Sequence, residues 1–111
     1  MAQVRSRDFG VFGEKIAARF LEDRGMRVVG RNVFVDRDEI DIIYRGDAGL
    51  VAVEVKSVTG DVDPFDALDD EKMRRFRRAI AGYRRPIIAI DAIGVRLNRE
   101  GVEIRWLRGI T

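Results

Sequence analysis

Apolar residues recur at three- and four-residue spacing from Phe9 to Arg24, at Phe9, Phe12, Ile16, Phe20 and Leu21, and the run stops at Gly25. That pattern predicts an amphipathic helix with a glycine C-terminal stop. Arg27 to Val35 reads as a strand. Two more strand-like runs, Glu39 to Tyr44 and Leu50 to Lys56, flank a Gly46-Asp-Ala-Gly49 turn and predict a hairpin. Pro64 and the acids after it lead into a second helix from about Leu68 to Tyr83, whose early Asp and Glu and later Arg suit the helix dipole. Ile87 to Ala92, Val95 to Leu97 and Val102 to Leu107 read as further strands. The first three strands are consecutive and expected to be antiparallel, while the second helix lets the fourth return parallel. The expectation is an α/β fold, a central mixed β-sheet flanked by α-helices, as one domain over residues 1–111.

The hairpin carries charge where a strand is ordinarily apolar. With the turn centred on Asp47 and Ala48, Asp41 faces Glu54 and Glu39 faces Lys56, at the Cβ separation of about 4.5 to 5.5 Å typical of opposed residues. Alternation puts Glu39, Asp41, Glu54 and Lys56 on one face and Ile40, Ile42, Val51, Val53 and Val55 on the other. Two facing carboxylates destabilise a ladder unless something neutralises them. A divalent cation would do so. The plainer alternative is a Glu39–Lys56 cross-strand ion pair, with Asp41 and Glu54 splayed into water.

On a helical wheel the apolar arc of the first helix runs from Phe12 round to Leu21, and Glu14 falls just beyond Leu21, at the edge of the buried stripe. No basic residue lies three or four positions away to pair with it; simple solvation is the competing account. In the second helix Met73, Phe76, Ile80 and Tyr83 form the stripe, and Lys72 falls inside it, so its ammonium must reach a cleft or snorkel to an edge. Arg74, Arg75, Arg78 and Arg85 spread over the opposite side, as surface charge able to hold a phosphate backbone.

Composition narrows the chemistry. Cysteine and histidine are both absent, which excludes disulfides, zinc sites of the usual kind, thiol nucleophiles and histidine bases. Any metal would be held by oxygen, which selects a hard ion such as magnesium, manganese or calcium. A chain that is 46% hydrophobic and 36% charged has the make-up of a soluble globular protein. It has no apolar run of membrane-spanning length, and its start, Met1-Ala-Gln-Val-Arg-Ser-Arg, is too polar for a signal peptide. A cytoplasmic protein without a membrane partner is expected. Net charge is only +2, yet 18 of 21 basic residues are arginine, and the six acids of Asp61–Glu71 are followed by the seven bases of Lys72–Arg85. Such clustering is a phosphate-binding footprint, or else a solvated helix face.

Together these residues resemble the PD-(D/E)xK nuclease superfamily: an acid on the second strand, Asp41, an acid-x-lysine on the third, Glu54-Val55-Lys56, and a glutamate on the first helix, Glu14. More closely, the chain is similar to the small bacterial YraN-like family (UPF0102) of predicted endonucleases, itself akin to archaeal Holliday-junction resolvases. The matching stretches are Gly13-Glu14 with Ala17, Leu21 and Gly25, then Arg31-Asn32, Glu39-Ile-Asp41-Ile-Ile43, Val53-Glu54-Val55-Lys56 and Lys72. The resemblance implies a restriction-endonuclease-like core and a magnesium- or manganese-dependent endonuclease acting on DNA, branched or repair intermediates included. By the same resemblance Asp41, Glu54 and the Val55 carbonyl would bind the metal, with Glu14 doing so directly or through water. Lys56 would orient the attacking water or stabilise the charge that builds on the phosphate, although nearby carboxylates should raise its pKa unless the metal cancels them, and Lys72 would contact the scissile phosphate. Nucleases of this fold often pair, so a homodimer is admitted, although no segment announces an interface. Two positions depart from the family pattern: Asp38 stands where glycine is usual and Val58 where a base is usual. A nucleic-acid-binding module without chemistry, or a purely structural charged hairpin, are the other classes the residues allow.

Overall fold

The structure, a computed structural model, describes residues 6–110; Met1 to Arg5, part of the polar start considered above, lie outside the described residues. Helix α1 spans Ser6–Asp23, strands β1, β2 and β3 span Arg27–Val35, Asp38–Arg45 and Leu50–Thr59, and helix α2 spans Asp70–Gly82. Strands β4 (Ile87–Asn98) and β5 (Gly101–Leu107) complete one sheet of order β1-β2-β3-β4-β5. All neighbours are antiparallel except β3 and β4, which run parallel. The mixed sheet flanked by two helices is therefore the expected architecture. No helix among the described residues is long and apolar enough to cross a membrane.

Gly25 ends α1 in the left-handed region, φ 83°, with the Gly25 N–H on the Glu22 carbonyl and the Met26 N–H on that of Leu21. This paired arrangement satisfies the last helical carbonyls. Asp69 caps α2 by accepting the Lys72 N–H at 2.7 Å, which starts the helix two residues later than the sequence pattern suggests. A short 3₁₀ turn, Pro64–Ala67, precedes it. Val95–Leu97 is not a separate strand. Gly94 continues β4 beneath that turn, where a Cβ would come within 2.8 Å of Pro64, so the glycine marks close packing rather than a break.

Helices cover both faces of the sheet, so the hairpin has no single apolar wall. Ala17, Ala18 and Leu21 of α1 pack on Ile42, Tyr44, Val51, Val53 and Val55; Phe76 and Ala79 of α2 pack on Ile40, Ile43, Leu50 and Ala52. Small residues dominate α1's buried stripe because the helix sits close: a Cβ at Gly13 would lie 1.7 Å from the Ser57 Oγ. Phe12, expected in that stripe, is turned aside and 46% exposed. Ile40 and Ile42 lie on opposite faces, contrary to simple alternation. The break falls at Asp41 and at Asn32 beside it, whose φ is 49° and whose pairing is missing from the β1–β2 ladder. Both strands turn over there together, and the candidate chemistry sits on that irregularity.

Candidate metal centre

The β2–β3 ladder runs from Arg45 opposite Leu50 to Ile42 opposite Val53 and then stops. The register is the one expected, but the backbone pairing does not reach Asp41 and Glu54. Instead the Asp41 Oδ2 accepts the Val55 N–H at 2.8 Å, a carboxylate in place of a ladder carbonyl. Past this point a cleft of about 640 Å³ opens, with Glu14, Glu39, Asp41, Glu54, Lys56 and Lys72 among its lining side chains. All five residues expected to be catalytic are thus brought together.

Glu14, at the edge of α1's buried face, reaches the cleft and accepts a hydrogen bond from the Asn32 Nδ2 at 2.6 Å. The same amide lies 3.3 Å from the Glu39 Oε1. Glu39 therefore makes no ion pair with Lys56; the ladder that would have opposed them has ended, and Asn32 draws Glu39 toward Glu14. Oxygens of Glu14, Glu39 and Asp41 lie within 4.8 Å of one another. The sequence puts Glu39 on the charged face but opposite Lys56 and not with Glu14, and gives Asn32 no role. The available signal was an asparagine in mid-strand, a residue type that tolerates the left-handed turn-over.

Glu54 lies outside that trio. It is 2% exposed, its Oε1 has no hydrogen-bond partner among the described residues, and the Lys72 Nζ stands 3.4 Å from that atom. Burial raises the Glu54 pKa, with Lys72 and Lys56 opposing the rise. Burial and the neighbouring Glu54 charge push Asp41 up to about 9, against the Val55 hydrogen bond. Lys56 is lowered by burial and by Lys72, which outweigh the pull of Glu54 and Asp41; the carboxylates do not win, as the sequence had suggested they would. Lys72 is pulled down by burial but raised overall by Lys56, Glu54 and Asp41. Crowded, buried carboxyl groups, a carboxylate oxygen that accepts no hydrogen bond among the described residues and an all-oxygen donor set fit a hard divalent cation.

Over residues 13–95 the chain matches the model of the uncharacterised protein family UPF0102. The chain belongs to this family. A UPF0102 protein of Mycobacterium sp. strain KMS is 36% identical, the match covering 91% of this chain and 83% of that one. One from Renibacterium salmoninarum is 35% identical, over 93% and 95%, and one from Chlorobaculum tepidum 42% identical, over 67% and 59%. Among solved structures, Pyrococcus furiosus SfsA in complex with Ca2+ is 17% identical with a TM-score of 0.36, covering 92% of this chain and 61% of that one.

In this UPF0102 chain the arginines expected to meet phosphate are differently placed. Arg75 lines the cleft and is only loosely tied to Glu71, at 4.0 Å. Arg74 is paired with Glu71, and Arg78 forks onto buried Asp38 at 2.7 and 2.9 Å. Arg85 lies beyond the end of α2 and does not line the cleft. Arg37, unremarked in the sequence, does.

Proposed function

We propose that this protein is a divalent-metal-dependent endonuclease that hydrolyses DNA phosphodiester bonds. The observation that carries the reading is the meeting of three carboxylates within 4.8 Å with a buried glutamate oxygen that accepts no hydrogen bond among the described residues and has the Lys72 ammonium 3.4 Å away, and two lysines in one cleft. Asp41, Glu54 and the Val55 carbonyl would hold a magnesium or manganese ion, with Glu14 joining them directly or through water. Once bound, the ion supplies an activated water and offsets negative charge as the phosphate is attacked. Lys56, whose proton is the more easily lost of the two lysines, orients the attacking water. Lys72 turns from Glu54 to the scissile phosphate. Asn32 ties Glu14 and Glu39 together with one amide and so holds the Glu14 carboxylate at the cleft.

The test is incubation of the full chain with single-stranded, nicked, branched and linear DNA, with magnesium, with manganese and with chelator. Metal-dependent cleavage that falls at least about a hundred-fold in Asp41→Asn is expected. An inactive protein across the panel, or unchanged activity in Asp41→Asn, sinks the proposal.

A further inference from the structure

Phe34 is 67% exposed, the most exposed of the large apolar side chains among the described residues. Its neighbours Val33 and Val35 pack into the cluster under α2, so its ring projects from the other face, shared by α1 and the Asn32 amide. In the β1–β2 ladder its partner is Glu39, one of the three clustered carboxylates. A phenyl ring opposite a glutamate gains little from its neighbour and leaves a large apolar area in water. Single exposed apolar residues are common. This one stands across the β1–β2 ladder from a member of the carboxylate cluster, and the turn that joins those two strands brings Arg37 into the cleft. Arg37 has no ion-pair partner among the described residues, Arg78 having taken Asp38 beside it.

An aromatic face and an uncommitted guanidinium flanking one site match a polynucleotide with an unstacked base: the arginine meets the backbone and the ring meets the base. A continuous duplex offers no such base, because its bases are stacked within the helix. Building on the nuclease reading, we propose that Phe34 is a stacking platform for an unpaired base next to the scissile phosphate, so that the site prefers DNA with a single-stranded segment over continuous duplex.

The experiment measures binding by fluorescence anisotropy with calcium and cleavage with magnesium, for wild type, Phe34→Ala and Phe34→Trp. The probes are a flapped oligonucleotide carrying 2-aminopurine at the flap base, a blunt duplex of the same sequence and a fully paired four-way junction. Phe34→Ala is expected to lose roughly 5- to 150-fold in flap affinity, the range for one base–aromatic stack, and to bind duplex and junction as wild type does. Phe34→Trp should retain the flap preference, and 2-aminopurine quenching should vanish only in Phe34→Ala. An equal loss on all probes, no loss on the flap, or a change of oligomeric state without a change in DNA binding overturns the proposal. If wild type cuts duplex well and Phe34→Ala changes nothing, stacking alone falls. If wild type neither binds nor cuts any probe, the nuclease reading falls with it.

Discussion

Asp41 joins the two halves of the site, because one carboxylate both closes the β2–β3 ladder and faces the cluster. Burial and the Glu54 charge raise its pKa to about 9, and Glu54 is raised with it, so in metal-free protein at neutral pH the pair shares a proton that a hard cation would have to displace. Metal binding at pH 7 is therefore expected to release about one proton, and apparent affinity to climb as pH rises toward 9. Calorimetry in two buffers of different ionisation enthalpy measures this; proton-neutral binding, or release that persists in Asp41→Asn, contradicts it. Lys72 gives a second expectation. Its ammonium sits 3.4 Å from the Glu54 oxygen that accepts no hydrogen bond among the described residues, and so would compete with a cation for that atom. Lys72→Ala should bind manganese several-fold more tightly than wild type while losing DNA affinity; weaker manganese binding would show that Lys72 does not compete. Asp41, Glu54 and Lys72 could be read from the sequence because each is a charge in an apolar pattern. Glu39 reads as a charge on the same face, but opposite Lys56; its place beside Glu14 depends on Asn32 turning the strand over, which periodicity alone does not carry.

Between elements, α2 is fastened to the start of β2 by the forked Arg78–Asp38 pair. The Arg78 guanidinium holds the Asp38 carboxyl below its ordinary range, so the pair's contribution is present above the unfolded-state pKa and fades as pH falls through the lower folded-state value. Arg78→Ala leaves a buried carboxylate unpaired and should melt earlier than wild type at pH 7, with the gap closing as pH drops below the usual carboxylate range. Thermal melts at several pH values decide this; a gap that stays constant into strong acid means the arginine's packing, not its charge, is what counts. This residue was read from the sequence as free to meet phosphate, because a helical wheel shows which way Arg78 points and not what a neighbouring strand offers it. Helix and strand positions were legible from spacing within a few residues. The single β4 was hidden because Gly94, which resembles a break in the sequence, serves the close approach of Pro64 from another element.

Across the whole molecule two buried carboxylates differ in what surrounds them. Asp91 is 1% exposed and fully engaged: it accepts from the Tyr44 hydroxyl, from the Trp106 Nε1 at 2.9 Å and from the Gly109 N–H at 2.9 Å, joining β2, β4, β5 and the end of the described chain. Glu54, equally buried, has an oxygen that accepts no hydrogen bond among the described residues, with only the Lys72 ammonium 3.4 Å from it. The mixed sheet and its parallel return could be anticipated from element order, but which buried acid is satisfied depends on contacts between residues far apart in sequence, and strand patterns do not contain them. The contrast predicts opposite responses. Asp91→Ala strips three donors of their acceptor and should cost about 3–5 kcal/mol by urea unfolding, with metal affinity of the folded protein unchanged. Glu54→Gln removes a carboxylate whose pKa burial has raised, so in chelator it should be neutral or stabilising, while a stabilisation by manganese expected of wild type should largely disappear. If Glu54→Gln unfolds the metal-free protein as readily as Asp91→Ala does, Glu54 holds the fold together, and the cleft loses its strongest claim to a cation.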